Sequence, residues 1–208
     1  MDAAFVRWVR RHAAASACAA ALGLATVLGS APPAHAQPAA AASSPAAAEA
    51  RCTLVYGHGR HFAEQAPRVN ELWNELNQGF SDAVAAELAA GGRRTVTLVL
   101  PVQSRDVAAN VQRMLARAAA DGCDEVVDCS VFGDPDTELL IARIRLHALG
   151  HRPGAPRADA DLVVGPAAAS VQRELPLNTR SLARLSSGEL ARQMATELRD
   201  PALSAPAG

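Results

Sequence analysis

The chain contains no lysine; all 20 of its basic residues are arginine. That absence excludes a Schiff-base lysine, a lysine general base and a P-loop lysine. Aromatic side chains are also scarce, with 4 Phe, 2 Trp and 1 Tyr in 208 residues, so a core has to be built from Leu, Val, Ile and Ala. Neither sign of charge is in excess. The formal net charge is −1, and near-neutral, mixed charge leaves no electrostatic footprint for nucleic acid. No serine elbow of the G-x-S-x-G type occurs. The apolar run from Ala13 to Leu28 is about 16 residues, short of the roughly 20 that a membrane-spanning helix needs.

What that run does fit is an export signal. Arg7, Arg10 and Arg11 form a positive zone ahead of it. Pro32 and Pro33 follow it, and then Ala34-His35-Ala36, whose small first and third residues suit signal peptidase. The expected cut lies after Ala36, with 1–36 a signal peptide and the mature chain beginning at Gln37 in the periplasm. A lipoprotein anchored at Cys18 is the minor alternative; it lacks the usual leucine at the third position before the cysteine. Arg10-Arg11 alone does not argue a twin-arginine route. Cleavage removes Arg7, Arg10, Arg11 and Asp2, leaving 17 Arg against 20 acidic residues and no stable membrane span. An ATP-dependent role fits this compartment poorly.

Residues 37–50 are Ala, Pro, Ser and Gln with a single Glu. They cannot bury enough apolar surface to offset the entropy of ordering and read as a flexible linker. Residues 201–208 read as a disordered tail. Between them lies one α/β domain, 51–200. Cys52 to Tyr56 is a first strand ended by glycines. Val69, Leu72, Trp73, Leu76, Phe80, Val84 and Leu88 recur at three- and four-residue steps, an amphipathic helix opened by Pro67 and stopped by Gly91-Gly92. Thr95 to Leu100 is a second strand. Ser104 is the expected cap of a second helix, with Val107, Val111, Met114, Leu115 and Ala118 on its apolar face. Glu125 to Phe132 is a third strand, and Leu139 to Leu149 a fourth, with Leu140, Ala142, Ile144, Leu146 and Ala148 on its apolar face. A polar loop, Gly150 to Ala160, leads to a fifth strand that covers part of Asp161 to Leu177, with Ala168 to Leu175 its favoured stretch. Ser186 and Glu189 suggest a capping box for a last helix carrying Leu190, Met194 and Leu198. The order β-α-β-α-β-β-β-α predicts an α+β fold: a single mixed β-sheet, parallel in its first half and meandering in its second, with helices packed on it.

Leu76 to Leu88, followed by Gly91-Gly92 and the strand to Leu100, resembles the first helix and second strand of the TolB amino-terminal domain. Gly122-Cys123-Asp124-Glu125-Val126-Val127 resembles the lead into that family's third strand, Arg145 to Leu149 its fourth strand, and Leu182 to Leu198 its closing helix. The loop after Gly150 is longer than the family's turn, and the β-propeller that follows the domain in TolB is absent. The resemblance implies a TolB amino-terminal-domain-like fold that binds an envelope protein partner and carries no catalytic residues or cofactor. The contact surface expected on that basis is the exposed sheet edge or the loop Gly150 to Ala160.

The mature chain keeps Cys52, Cys123 and Cys129, in a compartment that favours pairing. Cys123 and Cys129 are separated by about 20 Å of extended chain at roughly 3.3 Å per residue, too far for a bond. Cys52 and Cys123 each open a strand, and parallel neighbouring strands would set them side by side. Cys52–Cys123 is therefore the expected disulfide; Cys52–Cys129 would need a shifted or antiparallel arrangement, and three free thiols remain the alternative to both. Gly57, His58, Gly59, Arg60 and His61 lie between a strand and a helix, where a small anion or nucleotide could be cradled. Phe62 occupies the third glycine position of a dinucleotide fingerprint. A metal site would need His58, His61, His147 and His151 to converge. Asp134, Asp136 and Glu138 form a turn sequence before they form an acid–base pair.

Overall fold

The computed structural model describes residues 51–60, 66–134, 136–151 and 162–200. The export segment, Cys18, the linker, His61, residues 152–160 of the expected loop and the tail lie outside the described residues.

Among the described residues a single five-stranded mixed sheet carries four helices, an α+β fold. Its strands are β1 (Cys52–His58), β2 (Arg94–Val99), β3 (Glu125–Asp134), β4 (Leu139–His151) and β5 (Leu162–Pro176), in the order β2-β1-β3-β4-β5. β1 runs parallel to both β2 and β3, whereas β4 is antiparallel to β3 and to β5. The helices are α1 (Pro67–Ala90), α2 (Val107–Ala120), α3 (Thr179–Ser186) and α4 (Glu189–Arg199).

Side-chain alternation along each strand divides the core in two. On one face Cys52, Leu54 and Tyr56 of β1 pack with Val126 of β3 and with Met114 and Ala118 of α2. On the other, Trp73, Phe80, Val84 and Leu88 of α1 are fully buried, together with Leu182, Leu190 and Met194 of α3 and α4. The helix there sits very close to the sheet. A Cβ added to Gly57 would collide with Ser81 Oγ, and one added to Gly59 would lie 2.6 Å from Asn77 Nδ2. These two glycines let α1 approach β1.

Cys52 and Cys123 are joined by a disulfide, and both are buried. Asp124 N–H donates to the Cys52 carbonyl, and Thr53 pairs with Glu125, so the start of β3 lies directly beside the start of β1. Cys129 is free and buried.

Several boundaries differ from the sequence reading. Asp106, not Ser104, caps α2 by accepting from Ala109 N–H; Ser104 bonds the Asn110 side chain instead. The expected capping box at Ser186 and Glu189 does not form. α4 begins after Gly188, whose φ is 70°, a left-handed value glycine adopts freely. A separate helix, α3, precedes it, capped by Asn178 accepting from Ser181 N–H. Gly150 and His151 belong to β4, and β5 begins at Leu162, well ahead of Ala168. The β4–β5 pairing absorbs Gly165 and Pro166 through register shifts at Leu146/His147 and His147/Leu149.

Candidate functional site: a groove between α2 and the sheet

α1, α3 and α4 cover one face of the sheet. Among the described residues only α2 lies on the other, where Met114 and Ala118 pack on β1 and β3 and the helix also contacts β5. Between α2 and the sheet lies a groove of about 670 Å³, within the roughly 300–1,000 Å³ of small-ligand sites. Its floor is Tyr56 and His58 of β1, Val126 and Asp128 of β3, and Arg145 and His147 of β4. One wall is the segment from Pro101 to Arg105 with the first turns of α2, and Val164 of β5 stands opposite.

The polar centre of the floor follows from strand register. Asp128 is paired with Tyr56 across one ladder and with Arg145 across the other, and His58 lies two residues beyond Tyr56 on the same face. His58 Nε2 is 2.6 Å from Asp128 Oδ1, while Arg145 donates to Oδ2 from Nε at 3.0 Å and from Nη2 at 2.5 Å. Burial of Asp128 disfavours its charge, but the hydrogen bonds and charges of His58 and Arg145 outweigh that and hold its carboxyl below the usual range. Burial and the Asp128 charge push the Tyr56 phenol up. Cys129 points to the α1 side, where burial first and Asp128 second raise its thiol well above the ordinary value.

Asp128→Asn is expected to destabilise the domain by about 2 kcal/mol at pH 7, less than a fully buried pair because His58 and Arg145 reach solvent. The folded-state pKa is lowered. The stabilisation is therefore complete above the unfolded value of about 3.9, and it is lost as pH falls through the folded one. Urea melts of both proteins at neutral pH and below pH ~3.9 should show the difference shrink in acid.

The described residues of the expected anion loop each have a structural place. Gly57 and Gly59 serve the packing of α1. His58 engages Asp128, Arg60 lies 3.9 Å from Asp134, and His61 is outside the described residues. His58 and His147 both line the groove, yet His147 Nδ1 is 2.9 Å from the Gly165 carbonyl. No group of three or more His, Cys, Asp or Glu among the described residues could hold a metal ion. Asp134 accepts from Asp136 N–H in a turn, and Glu138 takes a left-handed φ of 53° there.

Sequence reading assigned Val107 to the apolar face of α2, but it is 73% exposed. It forms one lip of the groove. The role of Asp128 was not anticipated at all. The available signal was a charged residue inside the apolar run Val126-Val127-Asp128-Cys129, opposite an arginine on the next strand.

Among the described residues no helix is long and apolar enough to cross a membrane. No family model matches the chain, and no curated protein matches it in sequence. Similar solved structures include a PelC dodecamer from Paraburkholderia phytofirmans, 16% identical with a TM-score of 0.39, covering 76% of this chain and 92% of that one. Lipoprotein GNA1162 from Neisseria meningitidis is 17% identical with a TM-score of 0.35, covering 71% of this chain and 98% of that one. Likeness at this level transfers no activity.

Proposed function

We propose that the chain is an exported, periplasmic, non-catalytic protein that holds an envelope protein partner, and that the partner adds a strand to the open edge of β5. The observation behind this is the character of that edge. β5 is 15 residues long and, among the described residues, ends the sheet and pairs on one side only. From Val163 to Ser170 it carries no charged residue. Natural edges are usually defended by charge, and an undefended one is a template for an incoming strand. Pro166 is the one edge-breaking residue in that stretch, and the chain accommodates it beside the register shifts.

The amino-terminal export pattern and the resemblance to TolB amino-terminal domains support the same reading. A lack of catalysis is supported by the state of the reactive groups: Cys129 is buried away from the groove, and Asp128 is committed to His58 and Arg145.

A crosslinked pull-down from the periplasm tests the proposal. Ala168 is exposed on β5, and Ala168→Lys defends the edge without touching the core. It should lower partner recovery about tenfold, the equivalent of ~1.4 kcal/mol. Undiminished recovery with the folded variant would remove β5 as the contact.

A further inference from the structure

Among the described residues, three buried side-chain polar atoms have no hydrogen-bond partner: Ser81 Oγ, Ser130 Oγ and Arg143 Nε. Buried polar groups in folded proteins are nearly always paired, so each orphan needs a reason. Ser81 lies apart from the others, on α1 against Gly57. The other two are neighbours. Ser130 of β3 and Arg143 of β4 are register partners, so both side chains rise from the same face of the sheet, with Cα atoms about 5 Å apart. Ser130 is 2% exposed, and Arg143 is half-buried.

Arg143 makes no hydrogen bond or ion pair with any described residue. A guanidinium drawn partly out of water without a counter-charge is costly and rare. The carboxylates on the same face of β3 and β5 are engaged elsewhere. Asp128 holds His58 and Arg145, Asp134 accepts from Asp136 N–H and lies 3.9 Å from Arg60, and Glu174 accepts from the Gln172 side-chain amide. The two orphans therefore sit between a completed ion pair, Asp128–Arg145, and an apolar pair, Phe132 opposite Ile141.

We propose that Arg143 and Ser130 form a binding site for a small carboxylate. Nε–H and one Nη–H of a guanidinium make a parallel fork that matches the two carboxylate oxygens, and the Ser130 hydroxyl supplies a third donor. The orphaned atoms are thus the ones such a ligand would satisfy. A single guanidinium balances a monoanion, whereas inorganic phosphate would bring more negative charge than it offsets, beside Asp128 and Glu174.

The ¹H–¹⁵N resonance of Arg143 Nε–H provides the test. Sodium acetate, titrated at constant ionic strength into the purified full chain freed of organic acids, should shift this resonance and the Ser130 amide saturably, with a dissociation constant on the order of 1 mM. Sodium chloride should not, and inorganic phosphate should bind more weakly than acetate. Arg143→Gln should weaken acetate at least about tenfold, the effect of one lost hydrogen bond to a charged group, with the Ser130 amide as its readout. Arg143→Lys keeps the charge without the fork and should weaken acetate nearly as much. Ser130→Ala should weaken acetate about fivefold, yet leave the Tm of the acetate-free protein unchanged or raised, because it deletes a hydroxyl that has no partner. Ala168→Lys should leave acetate binding intact, which separates this site from the β5 edge. The proposal is overturned by the absence of a saturable shift, by chloride matching acetate, by phosphate binding the tighter, or by parental affinity in Arg143→Gln. A lower Tm for acetate-free Ser130→Ala would also overturn it, by showing that the hydroxyl is already bonded within the fold.

Discussion

The double replacement Cys52→Ala, Cys123→Ala is expected to lower the unfolding free energy by about 4 kcal/mol, the chain-entropy value for a loop of this length. The two cysteines are 71 residues apart, and the closed loop contains most of β1, all of α1, β2 and α2, and the approach to β3. Without the bond, the unfolded chain regains the freedom to separate two strands that must lie side by side at the sheet centre. Both cysteines are buried, in one cluster with Leu54, Leu100 and Met114. Alanine leaves no unpaired polar atom there, so the measured change reports the bond more than the packing. A domain of this size is stable by roughly 5–15 kcal/mol, so the loss is a large fraction of the total. Urea melts of the oxidised protein and the double variant should separate clearly. The variant should also accumulate poorly in the cell, since proteolysis follows the unfolded population. A stability difference below about 1 kcal/mol would mean that the unfolded chain already holds these strands together.

The order of strands was legible because each has a different physical signature. β1 and β3 are mainly apolar runs, as strands covered on both faces tend to be, with Asp128 interrupting β3, whereas β4 alternates, with Leu140, Ala142 and Ile144 fully buried and Arg143 and Arg145 on the opposite face. Parallel pairing of the first and third strands, as in ordinary βαβαβ winding, sets Cys52 and Cys123 side by side, and β1 does pair with β3 in parallel. The first half of β5 was not legible. Gly165 and Pro166 read as breakers, and only a partner strand that shifts register can accommodate them. α3 was hidden for a different reason. It is 8 residues long and buries only Leu182 and Leu185 as apolar anchors, too few to display a period. Gly188 sets the boundary by a positive φ that composition alone does not announce.

The site was less legible than the fold. His58 was noted as part of a glycine loop, but its partner comes from β3 and the counter-charge from β4. Only the register, with Asp128 opposite Tyr56 and Arg145, brings the three together. The glycines that suggested an anion cradle are explained by a pressure that sequence does not show, the close approach of α1. Periodicity also passed over the polar residues on the buried face of α1. Asn70, Asn77 and Ser81 are all at most 2% exposed, and a pattern search for apolar residues does not see them.

Asn77→Ala should destabilise the domain by about 3 kcal/mol, within the range for stranding buried polar groups. β1 ends its pairing with β3 at His58 and Ser130, but β3 continues to Asp134. The backbone of Val131, one residue past that point, faces the side β1 has vacated. Asn77 takes the place of the missing strand. Its Oδ1 accepts from Val131 N–H at 3.1 Å, and its Nδ2 donates to the Val131 carbonyl at 3.0 Å and to the Trp73 carbonyl at 2.8 Å. The side chain is fully buried, and Gly59 lies against its amide, where a Cβ would intrude. Alanine removes these bonds and leaves a buried donor and acceptor on β3 without partners. Leucine, closer in size, should not rescue the loss, because volume is not what Asn77 supplies. Asn77→Asp would still accept from Val131 N–H but would set a carboxylate against the Val131 carbonyl, so it should do no better. Hydrogen exchange gives the local readout: the Val131 amide should lose protection in Asn77→Ala beyond what the global loss explains, while amides of β4 track the global change. An Asn77→Leu protein as stable as the parent would show that water or backbone movement satisfies Val131 instead.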